Sequence, residues 1–161
     1  MLTLTTNGAH TAPLNILLVE DDDGDAKAVQ RAFRNVRLAN RIIRTVDGIE
    51  ALELLREQDP ERKMPVPYIL LVDINMPRMN GIELVQELRN DPALKQTLVF
   101  ILTTSKIEED KAAAYDLNVT GYIVKETAGR DFLNLVDMID SYWRVVEVPV
   151  QPGWSGGSPP A

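Results

Sequence analysis

The chain reads as an α/β protein: a doubly wound, five-stranded parallel sheet with helices on both faces. Three observations predict this. Short apolar, β-branched runs alternate five times with longer stretches of helical period. Three of those runs, "ILLV", "YILLV" and "VFIL", are continuously apolar, as a strand must be when helices cover both faces of its sheet. No repeat of constant length is present, so a solenoid is not the alternative.

Taken in order, the strands are expected at 15–19, 41–46, 68–72, 98–102 and 121–124, and the helices near 24–37, 48–58, 81–90, 106–117 and 128–144. The first helix carries Val29, Phe33 and Val36 on one stripe, with Ala26 and Ala32 beside it. The second opens with Asp47 and Glu50, read as a capping box, and carries Ile49, Leu52 and Leu55. "EQDPERKMPVPY" reads as an enlarged surface loop ahead of the third strand, with no chemistry of its own. The last helix lays down Phe132, Leu135, Val136, Ile139 and Trp143 at the spacing needed to cover the sheet. Residues 1–14 form a polar tail, 15–147 one domain with an extended last helix and C-terminal arm, and 148–161 a Pro/Gly/Ser tail too poor in apolar residues to fold.

The 161 residues suffice for one domain with a substantial core and not for two ordinary ones. A net charge of -7 argues against nucleic acid and anionic membrane as partners and favours a protein. The absence of cysteine excludes disulfides, thiolate metal sites and cysteine nucleophiles, and suits a cytoplasmic location. The N-terminus lacks the basic and apolar regions of a signal peptide, and no segment approaches a membrane span.

Right-handed crossovers bring the C-terminal ends of parallel strands to one edge. There the sequence supplies Glu20 and Asp21 after the first strand, Asp73 after the third, Thr103 after the fourth and Lys125 after the fifth. Converging carboxylates repel and raise one another's pKa, whereas a hard divalent cation accepts oxygen ligands and removes the conflict. Magnesium is the natural candidate, with Lys125 as a mobile positive charge. Asp22, Asp23 and Asp25 are read as capping and charging the first turn of the following helix.

In their order and spacing, "VEDD", "LLVDINMPRMNG", "ILTTS" and "GYIVKE" resemble the receiver domain of two-component response regulators, over Asn15 to about Trp143. The resemblance implies a flavodoxin-like receiver fold. It also implies that Asp73 is the phosphoacceptor, taking a phosphoryl group from the phosphohistidine of a sensor histidine kinase. Asp21 and Glu20 would then hold magnesium directly and through water, with Asp73 and the main-chain carbonyl of Asn75 completing the set. By the same likeness Lys125 pairs with a phosphoryl oxygen, Thr103 donates its hydroxyl to the phosphoryl group, and Tyr122 changes position when Thr103 moves. Met76, Pro77 and Gly81 shape the loop beyond Asp73. The long loop before the third strand, "TTS" and "DSYWRVVEVP" are similar to single-domain response regulators of phytochrome-type histidine kinases, implying a red-light-sensing kinase as partner.

The expected function is therefore a phosphorylation-dependent switch rather than an enzyme acting on a separate substrate. The alternative is a magnesium-dependent phosphohydrolase with an aspartate nucleophile. A haloacid-dehalogenase-type site resembles "DxDx[TV]", however, and "DINM" puts Asn75 where the general acid should stand. A degenerate receiver that only binds partners conflicts with the retained Glu20, Asp21, Asp73, Thr103 and Lys125. Nucleotide-binding glycine loops are absent, and His10, the only histidine, lies in the tail.

The sequence departs from the family's usual pattern at Glu126, which replaces a proline commonly in cis; a trans Lys125–Glu126 bond is expected, since cis costs a non-proline bond about 2.5–4 kcal/mol. On the last helix a second apolar set, Leu133, Met138, Tyr142 and Val145, continues into "VVEVPV". The expectation is a two-fold homodimer through Tyr142, Trp143, Val145 and Val146.

Overall fold

The computed structural model describes residues 15–35, 41–113 and 115–125. Strands and helices alternate: β1 Asn15–Val19, α1 Asp23–Asn35, β2 Ile42–Thr45, α2 Gly48–Leu55, β3 Tyr68–Asp73, α3 Gly81–Asn90, β4 Val99–Thr103, α4 Lys106–Ala113 and β5 Gly121–Val124. The five strands form one sheet in the order β2-β1-β3-β4-β5, with every pairing parallel. The chain thus winds outward one way from β1 to β2 and the other way from β3 to β5. With right-handed crossovers, that reversal puts α1 on one face and α2, α3 and α4 on the other.

Apart from Asn15, which opens β1, and Asp73, which ends β3, the central strands β1 and β3 are apolar because both of their faces are covered. Ile16, Leu17, Leu18 and Val19 of β1 and Leu70, Leu71 and Val72 of β3 are fully buried. Leu17, Val19, Leu70 and Val72 point to the face where Leu52, Leu55, Leu84, Val85 and Leu88 pack.

Where the observed boundaries differ from those read in the sequence, the backbone gives the reason. Helix α2 stops at Leu55 because Glu57 takes a left-handed conformation with φ 58°. Helix α4 stops at Ala113, short of 117, where Asp116 and Asn118 are left-handed at φ 50° and 53°. Strands β3 and β4 each run one residue further than expected, so Asp73 and Thr103 are the last residues of their strands rather than the first residues after them. The ladder holds both: Asp73 pairs in register with Leu102, and Thr103 with Val124.

Asp47 does cap α2, its side chain accepting from the Glu50 amide at 2.9 Å. The reciprocal half of the expected box is displaced. Glu50 Oε2 accepts from the amide of Val46 at 3.0 Å, and Glu50 Oε1 takes Arg62 at 2.6 Å. The complete capping box is on α3, between Asn80 and Glu83.

The loop before β3 is not independent of the sheet either. Arg62 bonds Asp59, Glu50 and the Arg44 carbonyl, tying the loop to β2 and α2. At the opposite edge, Arg89 donates to the carbonyls of Lys95, Thr97, Leu117 and Asn118, fastening the turns that lead into β4 and β5. The helix expected at 128–144, the Lys125–Glu126 bond, both tails and the dimer surface lie outside the described residues.

Candidate functional site

Parallel strands deliver their C-terminal ends to one edge, and the crevice beside the β1/β3 reversal is where such sheets place ligands. Glu20 follows β1 directly and is fully buried, Asp73 ends β3 almost as deeply, and Asp21 stands exposed at the rim. Each of the three offers a carboxylate oxygen within 4.8 Å of the others. Lys125, one residue past β5, reaches across: its Nζ lies 2.6 Å from Glu20 Oε1, 2.8 Å from Asp25 Oδ2 and 3.2 Å from Asp73 Oδ1.

The charge balance is incomplete. Glu20 Oε1 and Asp73 Oδ1 are buried and lack a hydrogen-bond donor in bonding geometry, although Lys125 stands within ion-pair distance of both. Burial first, and then the neighbouring Asp73 carboxyl, push Glu20 up to about 8. Burial also raises Asp73, against the pull of Glu20, Lys125 and the Asn75 main-chain amide. Although burial alone would discharge Lys125, the surrounding carboxylates hold its ammonium well above its ordinary range. Two buried carboxylates, a third at the rim and only oxygen ligands fit a hard divalent cation.

Glu20, Asp21, Asp73 and Lys125 are therefore brought together as the sequence predicts. Thr103 is fully buried, and its hydroxyl donates to the Ile123 carbonyl at 3.4 Å, a long contact for an O–H donor. Tyr122 is partly buried against the core, its phenol raised by that burial and by the charges of Glu109 and Asp116. Asn75 is exposed, and its side-chain amide donates to Glu108 Oε2 at 2.9 Å. Glu108 also accepts from the amide and hydroxyl of Thr104, joining the loop beyond Asp73 to the start of α4.

Asp25 is a site residue that sequence reasoning assigned only to the helix first turn. The structure gives it a second part as the hydrogen-bonded partner of Lys125. Asp22 is the cap expected, accepting from the Asp25 amide at 2.8 Å. Arg44 was missed as well: it donates to the Glu20 and Asp21 carbonyls and pairs with Asp23. A lone arginine within "IIRT" carries no signal of that kind.

The response regulator receiver domain family matches residues 16–137. Response regulator Rcp1 of Synechocystis sp. is 35% identical over 131 residues, covering 81% of this chain and 89% of its own length. The structure of the phosphorylated cyanobacterial phytochrome response regulator RcpA superposes with a TM-score of 0.72 at 32% identity, covering 86% of this chain and 100% of that one. The Mn(2+)-bound form of Rcp1 superposes at 0.69 with 34% identity, covering 86% and 100%. An acid cluster at the switch point, a lysine reaching it from the last strand, and matches spanning nearly the whole fold lead to one conclusion: the chain belongs to the response regulator receiver domain family, the phosphoacceptor switches of two-component systems that are charged by sensor histidine kinases.

Proposed function

We propose that Asp73 is the phosphoacceptor, that Glu20, Asp21, Asp73 and the Asn75 main-chain carbonyl hold magnesium, and that the donor is a phytochrome-type histidine kinase. The observation that carries this reading is the convergence of the Glu20, Asp21 and Asp73 carboxylates, two of them buried, within 4.8 Å of one another beside Lys125. An Asp73 oxygen attacks phosphorus, a new P–O bond forms, and the P–N bond of the donor phosphohistidine breaks with its electron pair returning to the imidazole. When bound, magnesium neutralises the developing charge on the phosphoryl oxygens. Lys125, already oriented on Asp73, moves its ammonium onto a phosphoryl oxygen. The long Thr103 to Ile123 contact is readily exchanged for a shorter one to the phosphoryl group, and Tyr122 repacks as Thr103 moves.

The reading continues to a cytoplasmic protein that turns over no separate substrate and pairs as a homodimer through Tyr142, Trp143, Val145 and Val146. Among the described residues no helix is long and apolar enough to cross a membrane. Incubation with phosphorylated kinase and, separately, with small phosphomonoesters tests the switch against the hydrolase: one stoichiometric transfer supports the proposal, and sustained phosphate release from the monoesters refutes it.

A further inference from the structure

The turn that carries the acid pair is gripped from the sheet edge. Arg44, on β2, donates Nε to the Glu20 carbonyl at 2.9 Å, Nη2 to the Asp21 carbonyl at 3.1 Å and Nη1 to Asp23 Oδ1 at 2.7 Å. An exposed ion pair with Asp23 would account for the last contact alone and would stabilise little. The other two are different in kind, because they fix two successive main-chain carbonyls. Fixing them sets the backbone that sends Glu20 inward, fully buried, while Asp21 stays at the rim. Arg44 is itself anchored: its carbonyl accepts Arg62 Nη1 at 3.0 Å, and Arg62 is held by Glu50 and Asp59. A chain of contacts thus runs from the loop before β3, through β2, to the acid turn.

We propose that Arg44 is a positioning residue for the cation site, its planar fork holding the Glu20–Asp21 backbone so that the two carboxylates converge with Asp73 before any cation arrives. This rests on the reading of Glu20 and Asp21 as cation holders. A guanidinium can span both carbonyls and Asp23 at once; an ammonium at the same place keeps the charge and loses the span.

The test uses the full chain with Arg44→Ala and Arg44→Lys. Magnesium affinity is measured by calorimetry, and amide exchange is measured in metal-free protein. Both variants are expected to bind magnesium about tenfold or more weakly, as when a partner behind a metal ligand is lost. The amides of Glu20 and Asp25, hydrogen-bonded to the Thr45 carbonyl and to Asp22 Oδ1, are expected to exchange at least about tenfold faster, while those of Leu70 and Ile74 in and beyond β3 keep their protection. Unchanged affinity and exchange in Arg44→Ala overturn the proposal, as does full rescue by Arg44→Lys or equal acceleration at Leu70. Should the wild type bind no divalent cation, the cation reading fails by itself. The exchange comparison then decides the clamp: faster exchange confined to Glu20 and Asp25 supports it, and unchanged exchange overturns it.

Discussion

Lys125 answers several acids at once, and the residues it answers show where sequence reasoning reached its limit. Glu20, Asp21, Asp73 and Lys125 were legible because each stands where an apolar run ends. Asp25 was not: an acid in a helix first turn is already explained by the helix dipole, and its partner is 100 positions away. Arg44 was hidden because strand alternation says which face a side chain takes and nothing of which carbonyls it reaches. The pH behaviour follows from the same groups. Glu20, pushed up to about 8, and Asp73, raised in the same direction, bind protons more tightly when folded than when unfolded. Their contribution to stability is present below the ordinary carboxylate range and is lost as pH rises toward about 8. Asp47 acts oppositely. Arg78 beside it holds its carboxyl low, so its contribution is lost as pH falls through that depressed value. In chelator the melting temperature should therefore fall between about pH 6 and about pH 8. Magnesium binding near pH 7 should release close to one proton and raise the melting temperature, because the cation takes the charge that Glu20 otherwise neutralises by protonation. Calorimetry in two buffers of different ionisation enthalpy checks this, and identical heats in both would contradict it.

At the scale of elements, the strands were legible to within a residue or two and the helix ends less so. Length and apolarity announce a buried strand. A helix end depends on single residues entering the left-handed region, as at Asp116 and Asn118, and neither is a glycine that would have signalled it. The start of α3 shows how an element positions the site. Its complete capping box fixes the first turn, and Gly81 packs so closely beneath β3 that an added Cβ would meet the carbonyl oxygen of Asp73 and lie 2.9 Å from Ile74 Cα. Main chain cannot yield there as a flexible side chain can. Gly81→Ala is expected to cost about 1–3 kcal/mol in denaturant unfolding and to slow phosphorylation, since the displaced carbonyl belongs to Asp73, the proposed phosphoacceptor. Asn80→Ala should cost about 1 kcal/mol and leave the phosphorylation rate near wild type, since it removes a cap and no packing against Asp73. Equal phosphorylation rates in the two variants would contradict this account of Gly81.

For the whole molecule, the five alternations in the sequence foretold the parallel sheet, and the strand order turns that sheet into a site. Because the winding reverses between β1 and β3, the acid turn after β1 and Asp73 at the end of β3 open onto the same crevice. Alternation and right-handed crossovers foretell that the strand ends meet at one edge, but they do not fix which strands become neighbours; the order β2-β1-β3-β4-β5 is seen only in the structure. Assembly is tested separately, by truncation after Asp140 and light scattering. The full chain is expected to be a dimer and the truncated one a monomer, and a monomeric full chain would remove the Tyr142, Trp143, Val145 and Val146 interface. The central claim, that this fold exists here to present Asp73 for phosphorylation, is tested most directly by trapping the product. The protein is charged by a phosphodonor with magnesium, reduced with borohydride, which converts an aspartyl phosphate to homoserine, and sequenced by peptide mass spectrometry. Homoserine at position 73, and at that position alone, is the predicted result; the reduced alcohol at any other aspartate or glutamate, with position 73 unmodified, would contradict it.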